Sequence, residues 1–227
     1  MFEAGELWSP IRLTLVLASI TTILLLFVAT PIAWWLSRSS VRWKEAVAAV
    51  VALPLVLPPT VLGFYLLVTF GTQSPIGQAF QAVVGQTLPF SFEGLLVASA
   101  IVNVPFVVQP IQRGFEAIPH DLRDAAACCG LTPWQRFVRI EAPLAWPSIL
   151  TAAILAFAHT LGEFGVVLMV GGNLPGETRT LSIAIYDRMQ AFDDRSAGIM
   201  AAALLVVAVV ALITTTTLSR RVGVNRG

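Results

Sequence analysis

Long apolar runs separated by short polar connections dominate the pattern of this chain. Five of the runs reach the ~20 residues that a helix needs to cross about 30 Å of hydrocarbon. They cover residues 12–36, 46–70, 93–113, 146–170 and 196–218. A shorter, more polar segment at 75–86 favours an external loop or an interfacial helix over a re-entrant element. The pattern predicts an all-α polytopic transmembrane helical bundle with five spans.

Composition supports a membrane location. Of the 227 residues, 56% are hydrophobic and 12% are charged, whereas roughly a quarter of an ordinary soluble domain is charged. The first ten residues, MFEAGELWSP, are acidic rather than basic, and the apolar run after them exceeds the ~7–15 residues of a cleavable signal. We therefore predict a retained first span and, in the absence of repeats or linkers, a single transmembrane domain over residues 1–227.

The basic residues predict the orientation. When successive connections are assigned to alternate sides, ten of the 14 lysines and arginines fall on one side and four on the other. The positive-inside rule places the larger group in the cytoplasm, the N-terminus outside and the C-terminus inside. The ten are Arg38, Arg42, Lys44, Arg113, Arg123, Arg136, Arg139, Arg220, Arg221 and Arg226, and the four are Arg12, Arg179, Arg188 and Arg195.

The connection at about 116–143 is predicted to be a cytoplasmic helical hairpin. Pro119 suits a first helical position and Gly130 suits the left-handed residue that ends a helix, which predicts a first helix near 119–129. This helix is rich in small side chains, which favour either a docking face for another protein or packing against the chain's own bundle. They are Ala125, Ala126, Ala127, Cys128 and Cys129.

The second helix of the hairpin has a clear start. Thr132, Pro133 and Gln135 form the pattern of a capping box, and Pro143 is predicted to limit the far end. A DNA-reading helix-turn-helix would share the glycine turn. That alternative is disfavoured because both ends of the hairpin are tethered to membrane spans, and no nucleic-acid partner is expected.

The hairpin resembles the coupling loop of ATP-binding-cassette importer permeases, Glu-Ala-Ala-x3-Gly-x9-Ile-x-Leu-Pro. Here Asp replaces the family Glu and Ala142 replaces the Leu, while the spacing matches throughout. The matching positions are Asp124, Ala125, Ala126, Gly130, Ile140 and Pro143. The resemblance implies that these residues couple the chain to an ATPase.

Two longer segments resemble the molybdate-transport permeases, a subgroup close to the sulfate permeases. They are LPLVLPPTVLGFYLLVTFG in the second run and LGEFGVVLMVGGNLPGETRTLSIAIY after the hairpin. The resemblance implies a homodimeric permease in the cytoplasmic (inner) membrane of a prokaryote. Its implied partners are a second copy of the chain, two cytoplasmic ATP-binding subunits, an extracytoplasmic molybdate-binding protein and membrane lipid.

The chain itself is not expected to hydrolyse ATP or to hold a cofactor or metal. The segment GGNLPGET has the Gly171–Gly176 spacing of a phosphate-binding loop, but it lacks the lysine and lies on the predicted external side. We therefore interpret it as a turn. ATP and Mg²⁺ are expected on the partner subunit.

Polar groups inside the fourth run suggest a gate or translocation path. Glu163 is an ionisable residue at membrane depth, which is costly enough to indicate function, and His159 lies one helical turn earlier. The alternative is a polar contact that locks two helices. Thr160 and Asn103 are further candidates for the path, with interhelical hydrogen bonding as their alternative use. Gly162 and Gly165 permit close packing or a bend.

Prolines in the second run predict a bend. Pro58 and Pro59, after Pro54, remove backbone donors, so they could form a pivot or widen a cavity, or simply pack as a kink. Tungstate or sulfate permeases remain alternatives to molybdate. An ATP-independent channel or carrier and a non-transporting scaffold are alternatives from other classes.

Overall fold

A computed structural model of the chain describes residues 4–224, and within that range every regular element is helical. The predicted cytoplasmic Arg226 lies outside the described residues, as do the side chains of Arg220 and Arg221. The elements are α1 Ala4–Arg38, α2 Lys44–Val56, α3 Pro59–Phe70, α4 Pro75–Val84, α5 Phe92–Glu116, α6 His120–Cys128, α7 Pro133–Arg136, a π-helical segment Phe137–Glu141, α8 Ala142–Gly162, α9 Gly165–Gly171, α10 Leu181–Gln190 and α11 Asp194–Val224.

The predicted all-α membrane architecture is confirmed. In the described part of the chain, four helices are long and apolar enough to cross a membrane, and a bent pair brings the number to as many as five. The four are Leu7–Arg38, Phe92–Glu116, Pro133–Gly162 and Asp194–Thr214. The second run, 46–70, therefore differs from the others in its geometry.

The run over residues 46–70 is divided into α2 and α3. These helices meet at an angle of 112°. Leu57 takes an extended conformation, which the residue before a proline prefers. Pro58 and Pro59 follow at the start of α3, so the predicted bend is present and is sharper than a kink.

The fourth run also differs from the prediction at both ends. Pro143 does not end the second hairpin helix, because the chain continues through the π-helical segment into α8. The Ala142 N–H bonds to Phe137 O, a residue earlier than in an α-helix. The wider π-helical turn accommodates Pro143. Proline has no backbone N–H, and in an α-helix its ring would clash with the carbonyl four residues earlier. At the other end, the helix stops at Gly162 rather than continuing to 170.

Helices α1, α5 and α8 form the main core. Small residues line their contacts and allow the backbones to approach closely. Ala29 and Ala33 of α1 and Ala152 and Ala156 of α8 are buried in this cluster, together with Val107 of α5. A second cluster joins α3, α5 and α9 through residues such as Leu66, Val102 and Val166.

The segment at 75–86 is a helix rather than an irregular loop. Ser74 caps α4 by accepting a hydrogen bond from Gly77 N at 2.9 Å. Gly85 ends the helix with φ of +81°. Gly77 is packed against the backbone of Phe70 and Gly71, so α4 folds directly back onto the end of α3.

The predicted turn between α9 and α10 is confirmed. Gly172 and Gly176 have positive φ angles, and the Thr178 hydroxyl donates to Gly171 O at 2.6 Å. Helix α10 then begins inside the bundle, where Leu181 N donates to the Thr14 hydroxyl of α1 at 2.8 Å.

A short turn connects α10 to the last helix. The Asp193 carboxylate accepts a hydrogen bond from Ser196 N at 3.2 Å and so caps the first turn of α11. Hydrogen bonds from the side chain and backbone of Ser196 hold the pKa of Asp193 below its ordinary value.

Candidate functional site

The first hairpin helix, α6, ends in a glycine turn that the sequence predicts. Gly130 has φ of +75°. Leu131 N donates to Ala126 O at 3.2 Å and Gly130 N to Ala127 O at 2.9 Å, the two bonds of a Schellman motif. The helix begins one residue later than predicted, because Pro119 is the residue before the first turn.

The second hairpin helix begins with the predicted capping box. Gln135 N donates to the Thr132 hydroxyl at 3.3 Å, and Thr132 N donates to Gln135 Oε1 at 2.9 Å. Pro133 occupies the first turn. The two caps fix the reversal of the chain between α6 and α7.

The small residues of α6 divide between the two predicted uses. Ala126 is buried, so it packs within the chain and is not available to a partner. Asp124, Ala125, Ala127, Cys128 and Cys129 are exposed. Leu122 and Trp134 are also exposed, at 45% and 67%, so the hairpin presents an apolar surface with little side-chain bulk on α6.

The remaining motif residues lie elsewhere on the hairpin. Ile140 belongs to the π-helical segment and Pro143 to the first turn of α8, and both are partly buried. The structure thus brings the six motif positions into one hairpin, divided between α6 with its glycine turn and the helix that follows.

A buried ionic group lies at the base of this hairpin, and the sequence analysis did not single it out. Glu141 is 1% exposed. Its carboxylate accepts a hydrogen bond from the Trp34 indole at 2.6 Å and pairs with Arg38. Arg123 Nε of α6 lies 3.5 Å from the same carboxylate. A lone glutamate beside a motif residue, with arginines far away in sequence, gives no local signal of such a cluster.

The second group of predicted residues surrounds the break between α8 and α9. Glu163 is buried, and its backbone is extended. Its Oε1 accepts a hydrogen bond from Val166 N at 3.0 Å, and its Oε2 lies 3.9 Å from His159 Nε2. The carboxylate therefore caps the partly positive N-terminus of α9. This capping role was missed by the sequence analysis.

His159 connects this break to α5. Its Nδ1 lies 3.2 Å from Asn103 Oδ1, and its ring stacks on Phe106 with centroids 4.1 Å apart. Asn103 is fully buried and donates through Nδ2 to Ser99 O at 2.8 Å. The predicted interhelical use of Asn103 is therefore present.

Thr160 does not join this polar group. Its hydroxyl donates to Ala156 O of the same helix at 2.8 Å, although the side chain is buried. The interhelical hydrogen bond considered for Thr160 is therefore not observed, since the donor is satisfied within α8.

The two helix breaks lie against each other. Pro59 begins α3 directly after the break at Leu57 and Pro58, and Gly165 begins α9 directly after Glu163. A Cβ on Gly165 would lie 2.8 Å from Pro59 Cβ. The start of α9 can approach the start of α3 this closely because Gly165 has no side chain. The two interrupted spans therefore meet at their breaks.

Comparison with known proteins identifies the family. Residues 29–223 match the model of the binding-protein-dependent transport system inner membrane component. The chain belongs to this family. It is 57% identical over 193 residues to the molybdenum transport system permease protein ModB of Azotobacter vinelandii, covering 85% of each chain. The identity to ModB of Escherichia coli K12 is 37% over 183 residues, covering 81% of this chain and 80% of that protein.

Less similar relatives include sulfate permeases. The sulfate transport system permease protein cysT of Anthoceros angustus is 32% identical over 170 residues, which cover 75% of this chain and 59% of that protein. These family members are transport components rather than enzymes, and this chain is a multi-pass membrane permease like them.

Solved structures share the permease fold. A bacterial alginate ABC transporter in complex with an alginate-bound periplasmic protein superposes with a TM-score of 0.80 at 19% identity, covering 97% of this chain and 81% of that chain. The MetNI methionine ABC transporter gives a TM-score of 0.71 at 16% identity, covering 95% and 94%. The fold is thus that of an ABC importer permease.

The contact between the two breaks of the permease predicts unequal effects for two neighbouring glycines. Gly165→Ala should destabilise the protein by about 1–3 kcal/mol, because the methyl group would force α9 away from the rigid Pro59 ring. Gly162→Ala is the matched control, since a Cβ at Gly162 meets nothing within 4 Å. Thermal unfolding midpoints of the two variants in detergent measure the difference. Equal midpoints would contradict the close contact.

Proposed function

We propose that this chain is the permease subunit of an ATP-binding-cassette importer that moves molybdate across the cytoplasmic membrane. The observation that carries the proposal is the 57% identity to a molybdenum transport permease over 85% of both chains. The sulfate permease of Anthoceros angustus is less similar, at 32%, and is matched over 59% of its length. Sulfate and tungstate are therefore the alternative cargoes.

Uptake measurements test the cargo. Proteoliposomes containing the chain with its ATP-binding subunits, supplied with the molybdate-binding protein and ATP, should accumulate labelled molybdate. Excess unlabelled tungstate and excess sulfate serve as competitors, and omission of ATP is the control. Uptake of sulfate in preference to molybdate would overturn the assignment of molybdate as the cargo. Uptake that continues without ATP would favour the channel or carrier class instead.

The proposed assembly contains two copies of this chain, two cytoplasmic ATP-binding subunits and an extracytoplasmic molybdate-binding protein. ATP and Mg²⁺ would be bound by the ATP-binding subunits. Four or five spans are too few to enclose a path comfortably, which supports a translocation path between two copies. The whole chain, 1–227, would act as one transmembrane domain, with residues 116–143 as its coupling loop.

The exposed surface of the hairpin supports a coupling role. Asp124 and Ala125 are exposed on α6 and Ala126 anchors its inner side. Gly130 sets the turn, and Ile140 and Pro143 belong to the helix that leads back into the bundle. A partner surface could approach α6 closely because its side chains are small.

The Gly130 turn gives a direct test of coupling. Gly130→Val should reduce the molybdate transported per ATP hydrolysed by about tenfold, the effect of losing ~1.4 kcal/mol of coupling, since a β-branched residue disfavours a positive φ. Gly85→Val is the matched control, because Gly85 has φ of +81° and open space around it, as Gly130 has, but ends α4. A Gly130→Val complex with an unchanged ratio would contradict the coupling role.

The proposed orientation has the N-terminus outside and the C-terminus in the cytoplasm. Arg38 and Arg123 meet at one end of the bundle. Arg12 lies at the other end, in a cavity of about 770 Å³ that Gln86 and Glu177 also line. This separation supports the assignment of the two sides.

Cysteine labelling tests the orientation. Cys128 and Cys129 are the two cysteines of the chain, and both are exposed. In vesicles that contain the chain without its ATP-binding subunits, a membrane-impermeant maleimide should label them when the vesicles are inside-out and leave them unlabelled when the vesicles are right-side-out. Val83→Cys in a variant with both native cysteines changed to serine is the control, since Val83 is 86% exposed and should show the opposite pattern. Labelling of Cys128 from outside would overturn the orientation.

The helix breaks support a gate. Pro58, Pro59, Glu163 and His159 surround the point where two interrupted spans meet, with Asn103 holding His159 from α5. Thr160 would contribute through the backbone of the same break, because Glu163 N donates to Thr160 O at 3.4 Å. Glu163 would shape this gate rather than bind the anion, since its carboxylate would repel an oxyanion.

Lower uptake by folded Gly165→Ala protein than by Gly162→Ala protein would support the role of the two helix breaks as a gate, and equal uptake would contradict it.

A further inference from the structure

The base of the hairpin holds one buried carboxylate among three guanidinium groups. Glu141 pairs with Arg38 from the end of α1 and with Arg123 from α6. Arg136, from α7, is close enough for its charge to act on Arg38. The Nε–H groups of all three arginines are buried and donate no hydrogen bond to any described residue. Positive charge therefore exceeds negative charge at this point.

The same carboxylate connects separate parts of the fold. Trp34 of α1 donates its indole N–H to Glu141 at 2.6 Å, and the Arg38 guanidinium lies over the Trp34 ring at 4.8 Å. Arg123 also donates to Phe115 O near the end of α5. Glu141, which precedes α8 by one position, thus contacts α1 and α6 directly, and Arg123 extends the connection to α5.

Aromatic packing shields this cluster. Phe137, in the π-helical segment, lies with its ring centroid 5.1 Å from Trp34, 5.4 Å from Trp134 and 6.0 Å from Phe115. Burial strengthens the attraction between Glu141 and its arginines, and it makes an unpaired charge costly. Loss of the carboxylate would leave the arginines to repel one another in a poorly hydrated space.

The position of Arg123 determines which helices this cluster connects. Arg123 lies one residue before Asp124, the first position of the proposed coupling surface, and is the α6 residue that contacts both Glu141 and the end of α5. On its other side, α6 continues into a glycine turn. Movement of α6 can therefore reach the spans through this side chain as well as through the backbone.

We infer that Glu141 is a positioning residue of transport: with Arg38 and Arg123 it fixes α6 to the membrane helices, so that a displacement of α6 moves α1, α5 and α8 with it. The inference rests on the proposed coupling role of α6. The positioning role of Glu141 differs from a purely structural role because it predicts that a variant complex assembles but loses the coupling of ATP hydrolysis to transport.

The test uses the complete reconstituted importer and measures labelled molybdate transported per ATP hydrolysed. Glu141→Gln should lower this ratio by roughly tenfold or more while ATP hydrolysis continues, as expected when a buried ion pair loses one partner. Glu141→Asp, which retains the charge, should recover part of the ratio. Glu45→Gln is the matched control, because Glu45 is an exposed carboxylate in the first turn of α2 and lies outside residues 116–143.

Arg123→Gln provides a second variant in case Glu141→Gln does not assemble. It leaves the Arg38–Glu141 pair and the Trp34 hydrogen bond in place, so the protein should fold, but it detaches α6 from the carboxylate. Its transport ratio should also fall. A spin label attached in a His120→Cys variant, with Cys128 and Cys129 changed to serine, should show greater mobility when Arg123 or Glu141 is changed, and unchanged mobility for Glu45→Gln.

Three results separate the two proposals. If Arg123→Gln, and Glu141→Gln where it assembles, keep the wild-type ratio while Gly130→Val loses it, the coupling surface stands and the role of Glu141 is overturned. If Gly130→Val also keeps the ratio, the coupling function of the hairpin fails. A ratio that is lost in an assembled Arg123→Gln complex, and that is higher for Glu141→Asp than for Glu141→Gln, supports the inference.

Discussion

The satisfaction of backbone hydrogen bonds in an apolar environment constrains every other feature of this permease. A helix in hydrocarbon meets this requirement by itself, whereas a broken helix exposes N–H and C=O groups that need other partners. The break after Gly162 is buried in protein, since Glu163 is 7% exposed, whereas Pro58 and Pro59, which follow the break after Leu57, are exposed on the single chain. Glu163 supplies the acceptor for Val166 N, and Gly165 allows Pro59 to cover the same point. Interrupted spans thus require the close α3–α9 packing that the structure shows.

Features encoded by neighbouring residues were predictable from the sequence. The positive φ at Gly130 and the capping box at Thr132 depend on a few adjacent positions, so the hairpin was predicted almost to the residue. The number of apolar runs was also predictable. Their internal geometry was not, because hydropathy measures transfer from water and carries no information on the direction of the chain. The prolines predicted the bend in the second run, but the 112° angle between α2 and α3 and the end of α8 at Gly162 were not predicted.

Features that depend on distant contacts were missed. Trp34 and Glu141 are 107 residues apart in the chain, and the importance of Glu141 arises entirely from what the fold places beside it. Pro143 shows the opposite error. The local rule that proline ends a helix was overridden because a π-helical turn removed the conflict and left the helix continuous. Glu163 was singled out for its charge, but its capping role depends on a break that the sequence analysis did not predict.

The two candidate regions are connected by one element. The helical stretch from Pro133 to Gly162 contains 30 residues and so extends about 45 Å at 1.5 Å per residue. Its first turn forms part of the hairpin, and its last residue adjoins Glu163 at the break. The π-helical segment is the point where such a helix would bend most easily. Glu141 ends that segment and pairs with Arg38 of α1 and Arg123 of α6. These buried ion pairs therefore oppose bending of the helix at the π-helical segment.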